Sequence, residues 1–127
     1  MAGRDEYTVN VAIIHQGRPL AGLLAAPARA LVWRGAAGRG SECLRLRPGE
    51  APDRAQDCKT IRTRSFASDH PVALVSRSHF DPRTEAYLSR WPRIGRQGCG
   101  SALKLALLAQ GEADLYPRFG PTSEWDI

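Results

Sequence analysis

The sequence predicts a mixed α/β fold, and three observations carry that expectation. Residues 7–15 read YTVNVAIIH, rich in β-branched side chains, and the turn signal Gln16-Gly17-Arg18-Pro19 separates them from the apolar run LAGLLAAP. After Pro71 the texture changes to strand-like and helix-like stretches in alternation, with VALVS, a helix start at Asp81-Pro82, and ALKLALLAQ. Between the two textures, residues 35–67 are dense in Gly, Pro, Arg and Asp, as irregular structure and a linker would be. The expected division is the end of an antiparallel sheet unit plus linker over 1–68, then the start of an α/β unit over 69–127.

Taken in order, Tyr7–His15, Leu20–Ala26 and ALVWRG (30–35) form an antiparallel meander. Leu20–Ala26 is apolar almost throughout, the pattern of a strand covered on both faces. No amphipathic helix occurs in the first seventy residues, so its cover is expected from sequence outside these 127 residues, in preference to the C-terminal half or another chain. Cys43–Leu46 and Thr60–Arg64 read as short strand-like pieces of irregular edge structure. VALVS is a short buried strand, Asp81-Pro82 opens a helix reaching about Trp91, and Ile94 begins another extended piece. Gly98-Cys99-Gly100-Ser101 leads into a helix over 102–110, ended by Gly111 and followed by ADLYPRF as a strand.

A length of 127 residues suits one ordinary domain, and 43% hydrophobic with 24% charged residues excludes a disordered, collagenous or disulfide-dense chain. The net charge of +5 rests on 16 Arg and only two Lys, Lys59 and Lys104. The Arg residues run from Arg4 to Arg118 with no adjacent pair and no interleaved aromatics, so nucleic acid is not the expected partner. Three cysteines at long separations, Cys43, Cys58 and Cys99, fit free thiols in a reducing compartment, and the cytoplasm is expected. No signal peptide follows Met1, and no apolar stretch approaches the roughly 20 residues of a membrane helix. No CxxC or HxxxH spacing suggests a structural zinc site, and nothing supports a cysteine nucleophile. Ser76, Ser78, His79 and Asp81 stand too close in sequence to be judged as a triad, which is recognised by geometry.

The helix over 102–110 is apolar except for Lys104 and its last residue, so a lysine inside it needs a reason. With Ser101 as N-cap, Lys104 lies near the positive end of the helix dipole, where an anion is favoured and a cation is not. One reading is a phosphate near Ser101 and Lys104, with Gly98 and Gly100 allowing close backbone approach. The other is a lysine that snorkels to solvent. The P-loop pattern is absent. Arg118, in LYPRFGPT, suits a bidentate grip on phosphate and equally an ordinary surface position. His79, in SRSHFD, follows a strand end where α/β sheets place ligand groups, although a lone histidine there also fits a plain loop. Asp126 follows Trp125 and suits either a helix cap or a metal ligand.

Read together, SRSH and GSALKLALLAQGEADLYPRFGPTSEWD resemble the C-terminal part of the CysQ-type 3′(2′),5′-bisphosphate nucleotidases, in the inositol monophosphatase superfamily of magnesium-dependent phosphatases. EYTVNVAIIHQGRPLAGLLAAP is similar to the strands that follow the family's Asp-Pro-(Ile/Leu)-Asp-Gly-Thr segment. The likeness covers nearly the whole chain and is weakest between Arg34 and Asp69. It implies part of a layered α/β sandwich, with His79, Ser101, Lys104, Arg118 and Asp126 contacting a bisphosphate nucleotide and Asp126 also holding Mg²⁺. No residue of this chain is assigned a catalytic role. Lys104 and Arg118 resemble the nucleotidases more than the inositol monophosphatases, which typically carry acidic or amide groups near these places. The implied substrate is 3′-phosphoadenosine 5′-phosphate, and possession of two cations suits two phosphates. Placement in the cytoplasm is implied too, with the inner membrane face as an alternative.

The sequence departs from the family by an absence: no Asp-Pro-x-Asp-Gly-Thr occurs in it. Asp126 alone would hold Mg²⁺ weakly, since that ion keeps its waters and needs several oxygen ligands. The expectation is a fragment or truncated product, inactive by itself, with an exposed sheet through which it self-associates. The other readings are an inositol monophosphatase-like enzyme and a non-catalytic nucleotide-binding piece.

Overall fold

The structure, a computed structural model, describes residues 5–77 and 81–122. The chain forms two compact units, Met1–Arg62 and Thr63–Ile127. In the first, β1 (Val9–His15), β2 (Arg18–Ala26), β3 (Leu31–Ala36), β4 (Gly40–Arg45) and β5 (Gln56–Ile61) make one antiparallel sheet in chain order. The expected turn closes β1 on β2, with His15 opposite Arg18. Gln16 and Gly17 both have positive φ, 49° and 72°, as a two-residue type I′ turn requires. Gly35 faces Ser41 across β3 and β4, where a Cβ would come 2.5 Å from Ser41 Oγ, so the close pairing needs glycine there.

One expectation for this unit changes. The pieces at 43–46 and 60–64 belong to regular strands: β4 is an inner member of the meander and β5, ending at Ile61, forms its edge. Ser41 pairs with Ile61 and Cys43 with Lys59, before a register shift leaves Arg45 opposite Gln56. That irregularity and the Gly- and Asp-rich composition hide the period-two pattern on which strand reading depends. Within this chain β2 is open, as the expected exposed sheet requires. Only Ala26 is buried in it, and Leu23 shares an open face with Val9, Val11 and Ile13, the last of these 59% exposed. The core of the unit gathers instead on Ala26, Val32, Trp33 and Leu44.

In the second unit β6 (Val72–Ser76) and β7 (Gly95–Cys99) pair in parallel, joined through α1 (Pro82–Leu88), and α2 (Leu103–Ala109) follows. A parallel pair needs such a crossover. Ala73, Leu88 and Ile94 form the buried cluster, with Val75, Tyr87, Trp91 and Leu115 packed against it. Asp81 caps α1 as its sequence position suggests, Oδ1 accepting from the Arg83 N–H at 3.0 Å. The helix stops at Leu88 and not near Trp91, because Trp91 N–H turns back to the Leu88 carbonyl. Helix α2 ends as expected, with Gly111 at φ 77° and Glu112 N–H reaching the Leu107 carbonyl.

ADLYPRF does not form a strand. It contributes a single bridge, Leu115 with Ala73, and Leu74 N–H donates to the Leu115 carbonyl at 2.9 Å. Two residues on, Pro117 has no N–H to extend the ladder. The segment after residue 62 belongs to this unit, six residues before the expected boundary, because Asp114 holds it. The Asp114 carboxylate is fully buried and accepts from Arg64 Nε and Nη2 and from the backbone N–H groups of Ala67 and Val72. Among the described residues no helix is long and apolar enough to cross a membrane.

Candidate functional site

The residues singled out in the sequence meet the structure unevenly. His79 and Asp126 lie outside the described residues. Ser101 is exposed and sits in the turn two residues past β7 with φ 53°, so it does not cap α2; Ala102 holds that position and makes no side-chain cap bond. Lys104 accordingly stands second in the helix, not third.

Lys104 does not snorkel, for it is only 6% exposed. Its Nζ folds back on the turn before the helix, donating to the Ser101 carbonyl at 2.7 Å and to the Cys99 carbonyl at 3.2 Å. It also lies 5.1 Å from the centre of the Tyr116 ring, a cation–π contact. A buried ammonium is costly unless its donors are satisfied, and here the carbonyls and the ring satisfy them. The same bonds hold Ser101 in its left-handed backbone conformation, which a serine adopts only when its surroundings impose it.

Arg118 is exposed, on a loop that braces itself. Its Nε donates to Thr122 Oγ1 at 3.2 Å and its Nη2 to the Pro121 carbonyl at 2.8 Å. Helix α1 braces the same loop, Arg83 donating to the Phe119 carbonyl and Tyr87 packing on the Phe119 ring at 5.6 Å. Tyr116, which touches Lys104, also lines the cavity beside Arg118.

A cavity of about 230 Å³ opens beside Arg118, with Asp81, Thr84, Arg96 and Tyr116 in its walls. Ser101 and Lys104 are not among its lining residues. Asp81 and Tyr116 line this cavity and were not among the binding residues expected from the sequence. Asp81 was read as a helix start and as one of four neighbouring polar residues that could not be judged as a triad, and nothing in one sequence marks Tyr116 as a platform for Lys104. Among the described residues no group of three or more His, Cys, Asp or Glu side chains is arranged to hold a metal ion.

The sequence model of the inositol monophosphatase family matches residues 1–127. The chain is 36% identical, over 124 residues, to the 3′(2′),5′-bisphosphate nucleotidase CysQ of Salmonella typhimurium, and 35% identical to that of Escherichia coli; each match covers 95% of this chain and 44% of the relative. The chain therefore spans less than half the length of the curated relatives it matches. Among solved structures it superposes on CysQ from Bacteroides thetaiotaomicron with a TM-score of 0.82 at 30% identity, covering 96% of this chain and 48% of that one. Mycobacterium tuberculosis SuhB shares the fold, with a TM-score of 0.72 at 22% identity, over 96% of this chain and 48% of that one.

Proposed function

This chain belongs to the inositol monophosphatase family, and from that membership we propose that it serves the Mg²⁺-dependent removal of the 3′-phosphate from 3′-phosphoadenosine 5′-phosphate, with the 5′-phosphosulfate analogue as a further substrate. The observation that carries the reading is the match along 95% of the chain to relatives named as bisphosphate nucleotidases. In this reading Arg118 takes a phosphate from its braced loop, and Ser101 and Lys104 meet the nucleotide from the start of α2. His79 joins them, and Asp126 contacts both nucleotide and metal. Two cations of fixed position suit a substrate with two phosphates better than one with a single phosphate. Lys104 serves the site by shaping the Ser101 turn as well as by its charge.

The described residues do not fit a magnesium cluster, so the metal in this reading rests on Asp126 and on the test. That test is Mg²⁺-dependent phosphate release from 3′-phosphoadenosine 5′-phosphate, with inositol 1-phosphate and Asp126→Asn as controls. Release from the nucleotide that Asp126→Asn abolishes supports the reading. Release from inositol 1-phosphate alone assigns the chain to the inositol phosphatases, and no release from either substrate accords with the expectation that the chain is inactive by itself, leaving weak, metal-independent nucleotide binding as the mark of a non-catalytic piece.

A further inference from the structure

Strand β1 is an outer strand of its sheet: β2 pairs with one side of it, and among the described residues no strand pairs with the other. All of its residues are exposed. Sheet edges are commonly guarded by a charge, a proline or a short length. VNVAII has no charge and no proline, and every side chain in it except Asn10 is apolar. The opposite edge, β5, carries Asp57 and Lys59. The β1–β2 turn fixes which backbone groups of β1 are open. In a hairpin closed by two residues the flanking pair, here His15 and Arg18, is hydrogen-bonded. Residues then alternate, so Val9, Val11, Ile13 and His15 bond to β2, while Asn10, Ala12 and Ile14 direct their N–H and C=O groups outward. The register shift beside Ile13 adds its extra residue, Leu20, to β2, which keeps the alternation along β1. Pro19, which lacks an N–H, stands opposite Ile14, where none is called for.

We propose that β1 pairs antiparallel with β1 of a second copy of this chain, about a two-fold axis at Ala12, joining the two sheets edge to edge. This register uses all the outward groups: Asn10 against Ile14 of the second copy, Ala12 against its own copy, and Ile14 against Asn10, making about six hydrogen bonds. Between them Val11 meets Ile13 of the second copy at a non-hydrogen-bonded pair, where side chains come closest. The apolar face that Leu23 shares with Val11 and Ile13 then runs on from one copy into the other. The antiparallel direction also brings the exposed Asp5 of one copy to the end where the other carries His15 and Arg18. A second copy suits this edge better than an unrelated strand, because backbone groups, apolar pairs and charges all complement themselves under one two-fold axis.

Sedimentation equilibrium over a concentration series tests this, with Ala12→Pro removing the outward N–H at the axis while leaving the bonds to β2 in place. The wild-type chain is expected to dimerise, and Ala12→Pro to raise the dissociation constant about ten- to a hundredfold, the worth of the two hydrogen bonds lost. Disulfide capture reads the register, in chains whose exposed native thiol, Cys58, is replaced by serine. Residue 12 lies about 5.5 Å from its own copy, Cα to Cα, within reach of a disulfide. Ala12→Cys should therefore cross-link about tenfold faster than Asn10→Cys, which has no cysteine opposite it. A monomeric wild-type chain overturns the proposal. So does association that persists unchanged in a folded Ala12→Pro, which would assign it to the open face of the sheet, and so does equal cross-linking of the two cysteine variants. Should Ala12→Pro fail to fold, the cysteine comparison decides.

Discussion

Replacing Asp114 tests how the C-terminal unit is held together. Its carboxylate is fully buried and accepts four hydrogen bonds, two from Arg64 and one each from the Ala67 and Val72 backbone. In Asp114→Ala the two N–H groups lose their acceptor in a part-buried place, at about 1–3 kcal/mol each. Arg64 keeps 35% of its side chain exposed and recovers water contacts, so its loss adds little. The expected cost is about 2–6 kcal/mol, overlapping the roughly 3–5 kcal/mol for breaking a buried pair. Urea unfolding of wild type, Asp114→Ala and Arg64→Ala measures it, with Arg64→Ala costing less than half as much because the backbone donors keep their acceptor. A cost below about 1 kcal/mol for Asp114→Ala refutes the argument, as does an equal cost for the two variants. The Arg64 guanidinium and the two N–H groups hold the Asp114 carboxyl far below its ordinary value of 3.8, against the opposing effect of burial. A carboxyl depressed on folding adds stability that is fully present above its unfolded pKa. Stability should therefore decline as pH falls below about 4, and Asp114→Asn should flatten that decline.

Lys104→Met keeps the shape of the side chain but leaves the Cys99 and Ser101 carbonyls without that donor; urea unfolding should show a loss of about 1–3 kcal/mol for each carbonyl left unpaired. The Cys58 thiol donates to Glu42 Oε2 at 3.1 Å, which raises its pKa while lowering that of Glu42. Alkylation of Cys58 at pH 8 should therefore be slower than that of an unperturbed thiol, and Glu42→Gln should speed it. Ile13→Lys, on the open face of β1, should leave stability within about 0.5 kcal/mol and reduce concentration-dependent association of the chain in size-exclusion chromatography. A wild-type chain that stays monomeric at high concentration would remove self-association through this face.

Much of the fold was legible because its signals are local. The β1–β2 turn needs two positive φ values and has a glycine for one of them; α1 starts where Asp81 precedes Pro82; α2 stops at Gly111. The misses share a cause as well. β4 and β5 are strands because neighbouring backbones pair with them, and their side chains carry little alternation to announce it. ADLYPRF has the composition of a strand but meets β6 only through Asp114 and Leu115 before Pro117 ends the pairing.

The site divides in the same way. That Lys104 was anomalous in an apolar helix, and that Arg118 lay in a turn-rich aromatic segment, could be read from residue types and spacing, together with the likeness that assigns the family. Where those charges go could not. Lys104 turns to the Cys99 and Ser101 carbonyls and the Tyr116 ring, and Asp114 reaches back to Arg64, fifty residues away in sequence. Sequence determines which groups are costly to bury, because that cost belongs to the side chain. Only the tertiary structure decides which partner meets the cost, because a hydrogen bond depends on distance and direction between atoms that the chain brings together from far apart.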